Sequence, residues 1–508
     1  MGCGRSGAQR NTRMSPSMDD DSLAPEDLFI ISDLHLGGQY AVDRGARGFR
    51  INTHAQDLIV FLTELRVRAE AGRRRTELVI NGDFVDFLAE GGPDGNDWRA
   101  FIDDEEEAVA RLDAIVGRDA GVFDAVASLM EAGVAVTLLL GNHDIELSLP
   151  SVRDRFCGHL RVTRSSPFRF VYDGEAYVVG DTLIEHGNRY DGFNVVDFDV
   201  LRRFRSESSR RLSATPDAFF EPPAGSRLVE EVMNPIKKDY GFIDLLKPET
   251  DAAIPLLLAL EPTYAKDIDQ IQRVLQLRDE ARGRNPIAPA RPPKPGNIRA
   301  AGREAGGPPN TLTQLLTRRI GAASANRLLA MVDEASRSER QHTEQIASGM
   351  VIRALSFARM VYFTSDWESR VDLLLDGFLQ IQYGSLFDWS IESEACYRDA
   401  ATELAQGGFR NVVFGHTHAA KNVDMPGGRR YMNTGAWADR LRLPEALYAG
   451  DRDRGREVLR EFAVAMKEQR LARYIEFAPT FGYVRRDEGG ATLPGTVHVY
   501  EPGVVRDL

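Results

Sequence analysis

Leu138-Leu139-Leu140-Gly141-Asn142-His143-Asp144 is the stretch on which the reading of the fold turns. A largely apolar run from Val134 to Leu140 reads as a fully buried strand of an open sheet. It stops at a glycine, which permits a tight turn, and then sets an amide, an imidazole and a carboxylate side by side. In open α/β sheets the ligand crevice lies just beyond the carboxyl ends of the strands, so the polar triplet stands where chemistry is done. One such motif alone could equally be a polar turn. The same grammar recurs at Leu28-Phe29-Ile30-Ile31-Ser32-Asp33-Leu34-His35, at Leu78-Val79-Ile80-Asn81-Gly82-Asp83 and at Val412-Val413-Phe414-Gly415-His416-Thr417-His418. Four strand ends offering Asp/His, Asp, Asn/His/Asp and His/His, in that order, are hard to obtain by chance.

Around these strand ends the chain alternates. Thr53 to Glu70 carries the apolar spacing of an amphipathic helix through Leu58, Phe61, Leu62 and Leu65, and further helices are expected at about 97–118 and 121–132. Strand-helix-strand repetition predicts parallel strands and a layered α/β domain. After Pro150, Phe168 to Tyr172 and Ala176 to Val179 flank Asp173-Gly174, a hairpin signal. The run Thr182-Leu183-Ile184 then delivers Glu185-His186-Gly187, and this antiparallel stretch suggests a second sheet packed on the first.

From about Phe204 to Ala400 strand alternation is lost. Helical segments are expected at about 225–282 and 311–382, on either side of a Pro/Gly/Arg-rich linker near 281–310. Because the β-pattern and the metal-capable residues resume at Asn411, the region reads as an insertion. A strand at 411–415, a hairpin around Pro426-Gly427-Gly428, a helix at about 454–470 and short strands near 474–478, 481–486 and 496–500 complete the reading. The expected division is a disordered leader over 1–25, a core over 26–203 and 404–508, and a mainly helical insertion over 204–403.

At 508 residues the chain exceeds one compact core, which favours two domains or one with a large insertion. Hydrophobic and charged contents of 43% and 27% are those of a soluble globular protein. A net charge of -13 and a pI near 5.4 weigh against a dedicated nucleic-acid surface. Cys3, Cys157 and Cys396 are too scattered for a disulfide framework or a thiolate cluster and suit a reducing compartment. No stretch approaches the ~20 apolar residues that span a bilayer, and there is no apolar secretory region, so a cytoplasmic location is expected. Met1-Gly2-Cys3-Gly4-Arg5-Ser6 fits the short pattern for myristoylation at Gly2 with palmitoylation at Cys3, a route to peripheral membrane attachment; a polar leader is the simpler reading.

The residue types point to cations. Hard divalent ions want oxygen ligands, and imidazole adds affinity for Mn, Fe and Zn. A carboxylate at Asp83 can bridge two ions ~3.5–4 Å apart, as two-metal hydrolases require. Asp33 and His35, two apart on an extended segment, would point to the same side and share one ion. His416 and His418 have the same parity and could each reach a different ion. Asn142 offers a neutral carbonyl oxygen, and His186 could complete the second ligand set. Two cations so held lower the pKa of a shared water and bind the non-bridging oxygens of a phosphate. His54, His159, His342 and His498 lack such a context and read as structural or surface groups, as do Asp86 and Asp181 as loop or supporting groups.

Together, D-x-H (Asp33, His35), G-D (Gly82, Asp83), G-N-H-D (Gly141 to Asp144), His186 and G-H-x-H (Gly415 to His418) resemble the calcineurin-like metallophosphoesterases over about 28–190 and 408–440. The resemblance implies a four-layer α/β/β/α sandwich with a dinuclear site between sheet ends. It implies one ion on Asp33, His35, Asp83 and His418 and another on Asp83, Asn142, His186 and His416, with Mn2+ first and Fe, Zn or Ni as alternatives. It implies that His143 touches the scissile phosphate or protonates the leaving oxygen, and that Asp144 holds its imidazole. Arg189, Tyr190, Asp191 and Asn194, which follow His186, are candidate substrate contacts. Glu185 to Asp191 and Asn433-Thr434-Gly435-Ala436-Trp437 are most similar to bacterial enzymes related to UDP-2,3-diacylglucosamine hydrolase, which act at a pyrophosphate bond of lipid A precursors. The chain differs from that hydrolase at His143, where arginine is typical, and in its far longer insertion.

Three functions follow as expectations. The first is a metal-dependent phosphoric ester hydrolase that cleaves a phosphate ester or pyrophosphate bond in a phosphorylated small molecule or lipid-nucleotide, with the helical insertion as a substrate-selecting cap. The second is a phosphodiesterase or nuclease acting on nucleic acid or a cyclic nucleotide, which predicts a basic groove and salt-sensitive binding. The third is a metal-bound scaffold without turnover, which would be expected to have lost a ligand; none of the set is missing.

Overall fold

The computed structural model describes residues 25–39, 48–72, 74–92, 97–212, 215–238, 241–246, 371, 375, 387–468, 470–487 and 489–507. The expected leader, apart from residue 25, the linker near 281–310 and most of the helical segments at 225–282 and 311–382 lie outside them.

In chain order the described strands are β1 (Asp27–Ile31), β2 (Thr76–Asn81), β3 (Ala135–Leu139), β4 (Phe168–Val171), β5 (Tyr177–Val179), β6 (Thr182–Ile184), β7 (Asn411–Phe414), β8 (Lys421–Met425), β9 (Arg429–Asn433), β10 (Arg440–Leu441), β11 (Ile475–Glu476), β12 (Thr480–Arg485) and β13 (Thr496–Val499). Six form a sheet in the order β13-β12-β1-β2-β3-β4, with β1 to β4 parallel and β12 and β13 antiparallel at one edge. Five form a second sheet in the order β5-β6-β7-β9-β8, whose inner three strands are parallel.

Side-chain alternation builds the layers. Phe29, Ile31, Leu78, Ile80, Val136 and Leu138 point from the first sheet into a core closed by helices α1 (Ala55–Ala71), α2 (Glu105–Glu131) and α3 (Pro150–His159). Their neighbours Leu28, Ile30, Val79 and Leu139 point the other way and meet Tyr177, Ile184, Val413 and Met432 of the second sheet. The outer face of that sheet, Leu183, Val412, Phe414 and Tyr431, is covered by Tyr397, Ala400, Ala401 and Ala405 of the helix Ala395–Gln406. The result is an α/β/β/α sandwich, because strands buried on both faces need an apolar partner on each. Ala224, Leu228, Met233, Ile243 and Leu245 pack with Leu441, Leu459 and Phe462 in a separate core at one end.

Two expectations are corrected. The helices foreseen at about 97–118 and 121–132 are one element, Glu105–Glu131, with a non-helical residue at Asp119. Asp104 starts it by accepting from the Glu106 and Glu107 amides, and residues 97–104 are not helical. The break at Asp119 coincides with a buried ion pair to Arg50, 2.7 Å long. The hairpin foreseen at Asp173-Gly174 is absent as a pair: β4 joins β3 in the first sheet and β5 joins β6 in the second. The turn carries the chain from one sheet to the other, and local turn chemistry is the same in either case. Among the described residues no helix is long and apolar enough to cross a membrane.

Candidate metal centre

The four polar strand ends converge at the mouth between the two sheets. Past β1 and β2 the parallel ladder continues: the amides of Asp33, Leu34, His35 and Leu36 donate to the carbonyls of Gly82, Asp83, Asp83 and Phe84 at 2.9–3.2 Å. Asn81 Nδ2 donates to the Glu185 carbonyl at 2.9 Å and ties β2 to the end of β6. Asn433 Nδ2 does the same for the last loop, donating to the Gly415 carbonyl at 2.6 Å.

The expected extended geometry of Asp33 and His35 is corrected. Both are left-handed, with φ of 55° and 44°, as are Asp83 (52°), His416 (69°) and His418 (58°). Only two other described non-glycine residues, Arg161 and Arg211, share this conformation. Each such residue costs on the order of 1–2 kcal/mol, and such strain persists only where surrounding structure enforces it. Here the continued ladder and the Trp437 amide, which donates to the Asp33 carbonyl at 3.1 Å, enforce it.

Two glycines explain the G-D and G-N-H-D patterns. A Cβ at Gly82, whose φ is +82°, would run into the His186 ring. One at Gly141 would run into the Asp83 carboxylate. The ligand side chains lie directly on backbone, so no side chain fits between.

Among the described residues, three groups have ligand atoms within 4.8 Å of one another: Asp33, His35 and His418; His35, Asp83 and His143; and Asp83, His186 and His416. Asp83 Oδ2 is 3.1 Å from His186 Nε2 and 3.8 Å from His35 Nε2. His418 Nε2 is 3.5 Å from Asp33 Oδ1 and 2.9 Å from His35 Nε2. Asp33 also accepts from the His416 amide at 3.0 Å, and Asp83 from the His143 amide at 2.8 Å.

The tautomers follow from the other ring nitrogens. His186 Nδ1 lies 2.8 Å from the Asn81 carbonyl, an acceptor only, so Nδ1 carries the proton and Nε2 faces Asp83. His35 Nδ1 lies 3.1 Å from Asp86 Oδ2, which leaves Nε2 toward the cluster. Asp86 is shared, its Oδ1 lying 3.1 Å from His143 Nδ1.

Burial opposes charge throughout. It pushes the Asp33 carboxyl up, and the neighbouring Asp83 adds to this against the pull of His186 and His35. Burial works the same way on Asp83, but the imidazoles of His186, His143 and His35 outweigh it and hold its carboxyl well below the usual range. For His186 burial favours the neutral ring, yet Asp83 pushes it up to about 10. Two carboxylates and several imidazoles in a volume without solvent are a set of donors that a positive ion satisfies.

Asp144 is corrected. It does not meet the His143 imidazole; its oxygens accept from the Gly141 and Phe84 amides at 2.7 and 2.8 Å, fixing the turn itself. Asp86, three residues after Asp83, takes the place foreseen for it. Of the candidate substrate contacts, Asp191 Oδ2 lies 3.1 Å from His416 Nε2 and Asn194 Oδ1 accepts from Asn142 Nδ2 at 3.3 Å. Arg189 and Tyr190 turn away: Arg189 donates to the Gly174 carbonyl at 2.9 Å and Tyr190 donates to Glu185. His54 and His159 pair with Asp439 and Asp113, and His498 stacks on Phe481, as structural histidines do.

The fit of divalent ions is tested by the acceptor left over. Asn142 Oδ1 is buried with no hydrogen-bond partner among the described residues. Its amide nitrogen is held by Asn194, so the oxygen is presented as a neutral ligand. Mixed carboxylate, amide and imidazole donors suit Mn, Fe or Zn, and carboxylates behind imidazole nitrogens are how metal-binding histidines are oriented.

Residues 28–247 match the Calcineurin-like phosphoesterase family. The matched stretch takes in Asp33, His35, Asp83, Asn142, His143 and His186, and supports that superfamily for the chain. His416 and His418 lie beyond it, and the geometry alone brings them to the same place. Members of the family are metal-dependent and act on phosphorylated substrates. No curated protein matches the chain.

Proposed function

We propose that the protein is a dinuclear metal-dependent phosphoesterase that hydrolyses a phosphate ester or pyrophosphate bond. The observation that carries this is the position of Asp83, one carboxylate facing His35 on one side and His186 on the other, with Asp33/His418 and His416 completing the two flanks. One ion would be held by Asp33, His35, Asp83 and His418, the other by Asp83, Asn142, His186 and His416, with Mn2+ the first candidate. Two such ions, when bound, polarise the phosphoryl oxygens and make water acidic enough to attack near neutral pH.

The chain's own residues do the rest. His143 stands at the rim, its side chain 17% exposed and its Nδ1 held 3.1 Å from Asp86. A water oxygen forms the new bond to phosphorus, the ester bond breaks, and the departing oxygen takes its proton from His143. Asp191 steadies His416, and Asn194 steadies Asn142. The segment over 204–403 is proposed as an insertion that selects the substrate. A phosphorylated small molecule or a lipid-nucleotide remains the substrate class, and the cytoplasm the expected setting.

Metal-free protein given Mn2+ and assayed on p-nitrophenyl phosphate, its bis ester and single-stranded DNA tests the proposal. Mn2+-dependent release of p-nitrophenol with two ions bound per chain is the expected result. Turnover of the bis ester or DNA alone would replace it with a diesterase, and metal binding with no turnover would replace it with a scaffold.

A further inference from the structure

Asn142 and His416, both assigned above to the second ion, come from different sheets: Asn142 follows β3 and His416 follows β7. One side chain serves both. Asn194 Oδ1 accepts from Asn142 Nδ2 at 3.3 Å. Asn194 Nδ2 donates to Asp191 Oδ2 at 2.7 Å, the oxygen that lies 3.1 Å from His416 Nε2. A carboxylate can only accept, so the Asn194 nitrogen is committed to Asp191 and its oxygen to Asn142. That choice turns Asn142 Oδ1 outward as the buried acceptor without a partner among the described residues.

Asn194 is itself held by the short buried helix Ala224–Leu228. The Gly225 amide donates to the Phe193 carbonyl at 2.7 Å. A Cβ at Gly225 would stand 2.2 Å from Asn194 Oδ1 and 3.2 Å from the Phe193 carbonyl oxygen. In a helix, alanine is ordinarily better than glycine by about 1 kcal/mol, so close approach is what glycine provides here. Further along, Glu230 accepts from the Ala100 amide at 2.9 Å and Asn234 Nδ2 donates to the Leu88 carbonyl at 2.8 Å. The whole stretch is therefore seated on loops of the first sheet beside the candidate site.

We propose that Asn194 is the positioning residue of the second ion and that Gly225 lets the helix Ala224–Leu228 clamp it, so that seating of this helix and occupancy of that ion are coupled. The inference rests on the two-ion reading above. Displacing the helix frees Asn194, and with it the orientation of two ligands from two sheets. The coupling works in both directions: an ion that draws in Asn142 and His416 favours the one arrangement of Asn194 against which the helix fits. Asp33, His35 and His418 make no contact with Asn194 or Gly225 in this chain of bonds, so the first ion lies outside it.

Isothermal titration of the metal-free full chain with Mn2+ tests it, on the parent, Asn194→Ala, Gly225→Ala and the double variant. Each single variant is expected to weaken the second Mn2+ about 10–100-fold, the usual penalty for loss of a group that orients a ligand, and to leave the first unchanged. The double variant should bind no more weakly than Asn194→Ala, because the added methyl then has no amide to strike. In the parent, amide exchange over 224–228 should slow on the second equivalent of Mn2+ and not on the first. Should Gly225→Ala not fold, Asn194→Ala and the exchange decide. Unchanged affinities, equal weakening of both ions, additive losses in the double variant, or exchange indifferent to the second equivalent would overturn the coupling while the two-ion reading stands. A parent that binds fewer than two Mn2+ would remove the two-ion reading and this inference with it.

Discussion

Asp86 Oδ1 lies 3.1 Å from His143 Nδ1, a carboxylate–imidazole pair whose members are 57 residues apart in the chain. The other oxygen of the same carboxylate holds His35, so a single buried group sets the orientation of one candidate ligand and of the candidate proton donor. Asp86→Asn keeps the size and removes the charge. We expect kcat to fall about 10–100-fold and the Mn2+ concentration needed for half-activation to rise, the usual penalty for loss of such support. Steady-state assays across a Mn2+ titration check this, and an unchanged kcat would remove Asp86 from the positioning of His143.

His143→Ala should separate chemistry from metal binding. Its imidazole is 17% exposed, whereas the side chains of His35 and His186 are 1% exposed. The variant is expected to keep two Mn2+ per chain while kcat falls by about 10²–10⁴. Elemental analysis beside the assay measures both, and loss of an ion would make His143 a ligand.

Gly141→Ala adds one methyl where the Asp83 carboxylate already stands. Asp83 must then move from between His35 and His186, and the expected result is loss of Mn2+ binding with a lower Tm. Isothermal titration with Mn2+ reads the first and a thermal melt the second; full metal affinity would mean that the turn yields and not the carboxylate.

Removing divalent ions should destabilise the fold itself. Asp33 and Asp83 are both fully buried and repel one another, and an ion bound only by the native state stabilises it by about 4 kcal/mol at a thousandfold excess over its Kd. A chelator is expected to lower Tm by on the order of 10 °C, with recovery on adding Mn2+. Identical melts with and without chelator would argue against an ion at Asp83.

Glu146 carries a pH signature apart from the metal ligands. It is 2% exposed, accepts from the Ile102 amide at 3.0 Å, and burial pushes its carboxyl up to about 8 from an ordinary 4.5. Between those values the folded chain holds a proton that the unfolded chain has released, so stability falls as pH rises from 4.5 to 8. Glu146→Gln stays neutral at every pH. Its stability gain over the parent should be small near pH 4.5 and grow to on the order of a few kcal/mol by pH 8. Urea melts at three pH values would show it, and a gain independent of pH would contradict it.

The strand ends were legible because each is a local event: an apolar run, then a residue able to turn, then polar groups. That made Asp33, His35, Asp83, Asn142, His186, His416 and His418 visible one by one. Their backbone was not, since counting parity assumes extended chain, and these loops bend into left-handed turns held by bonds from another strand. Asp144 looked like the partner of His143 because it is adjacent; the partner that reaches the ring comes from the loop after β2, and no local pattern encodes that. Asp173-Gly174 could be read as a turn, but not as a turn that changes sheets.

In the second sheet β6 pairs with β7 through Ile184 and Val413, across more than two hundred intervening residues. During synthesis the ribosome therefore delivers Asp33, Asp83, Asn142 and His186 long before the strand that brings His416 and His418. Until then the edge of β6 is bare, with unpaired amides and carbonyls open to any other extended chain. A nascent or truncated product stopped short of Asn411 would be an aggregation-prone half sandwich with five of its seven candidate ligands, and only arrival of β7 both closes that edge and finishes the cluster.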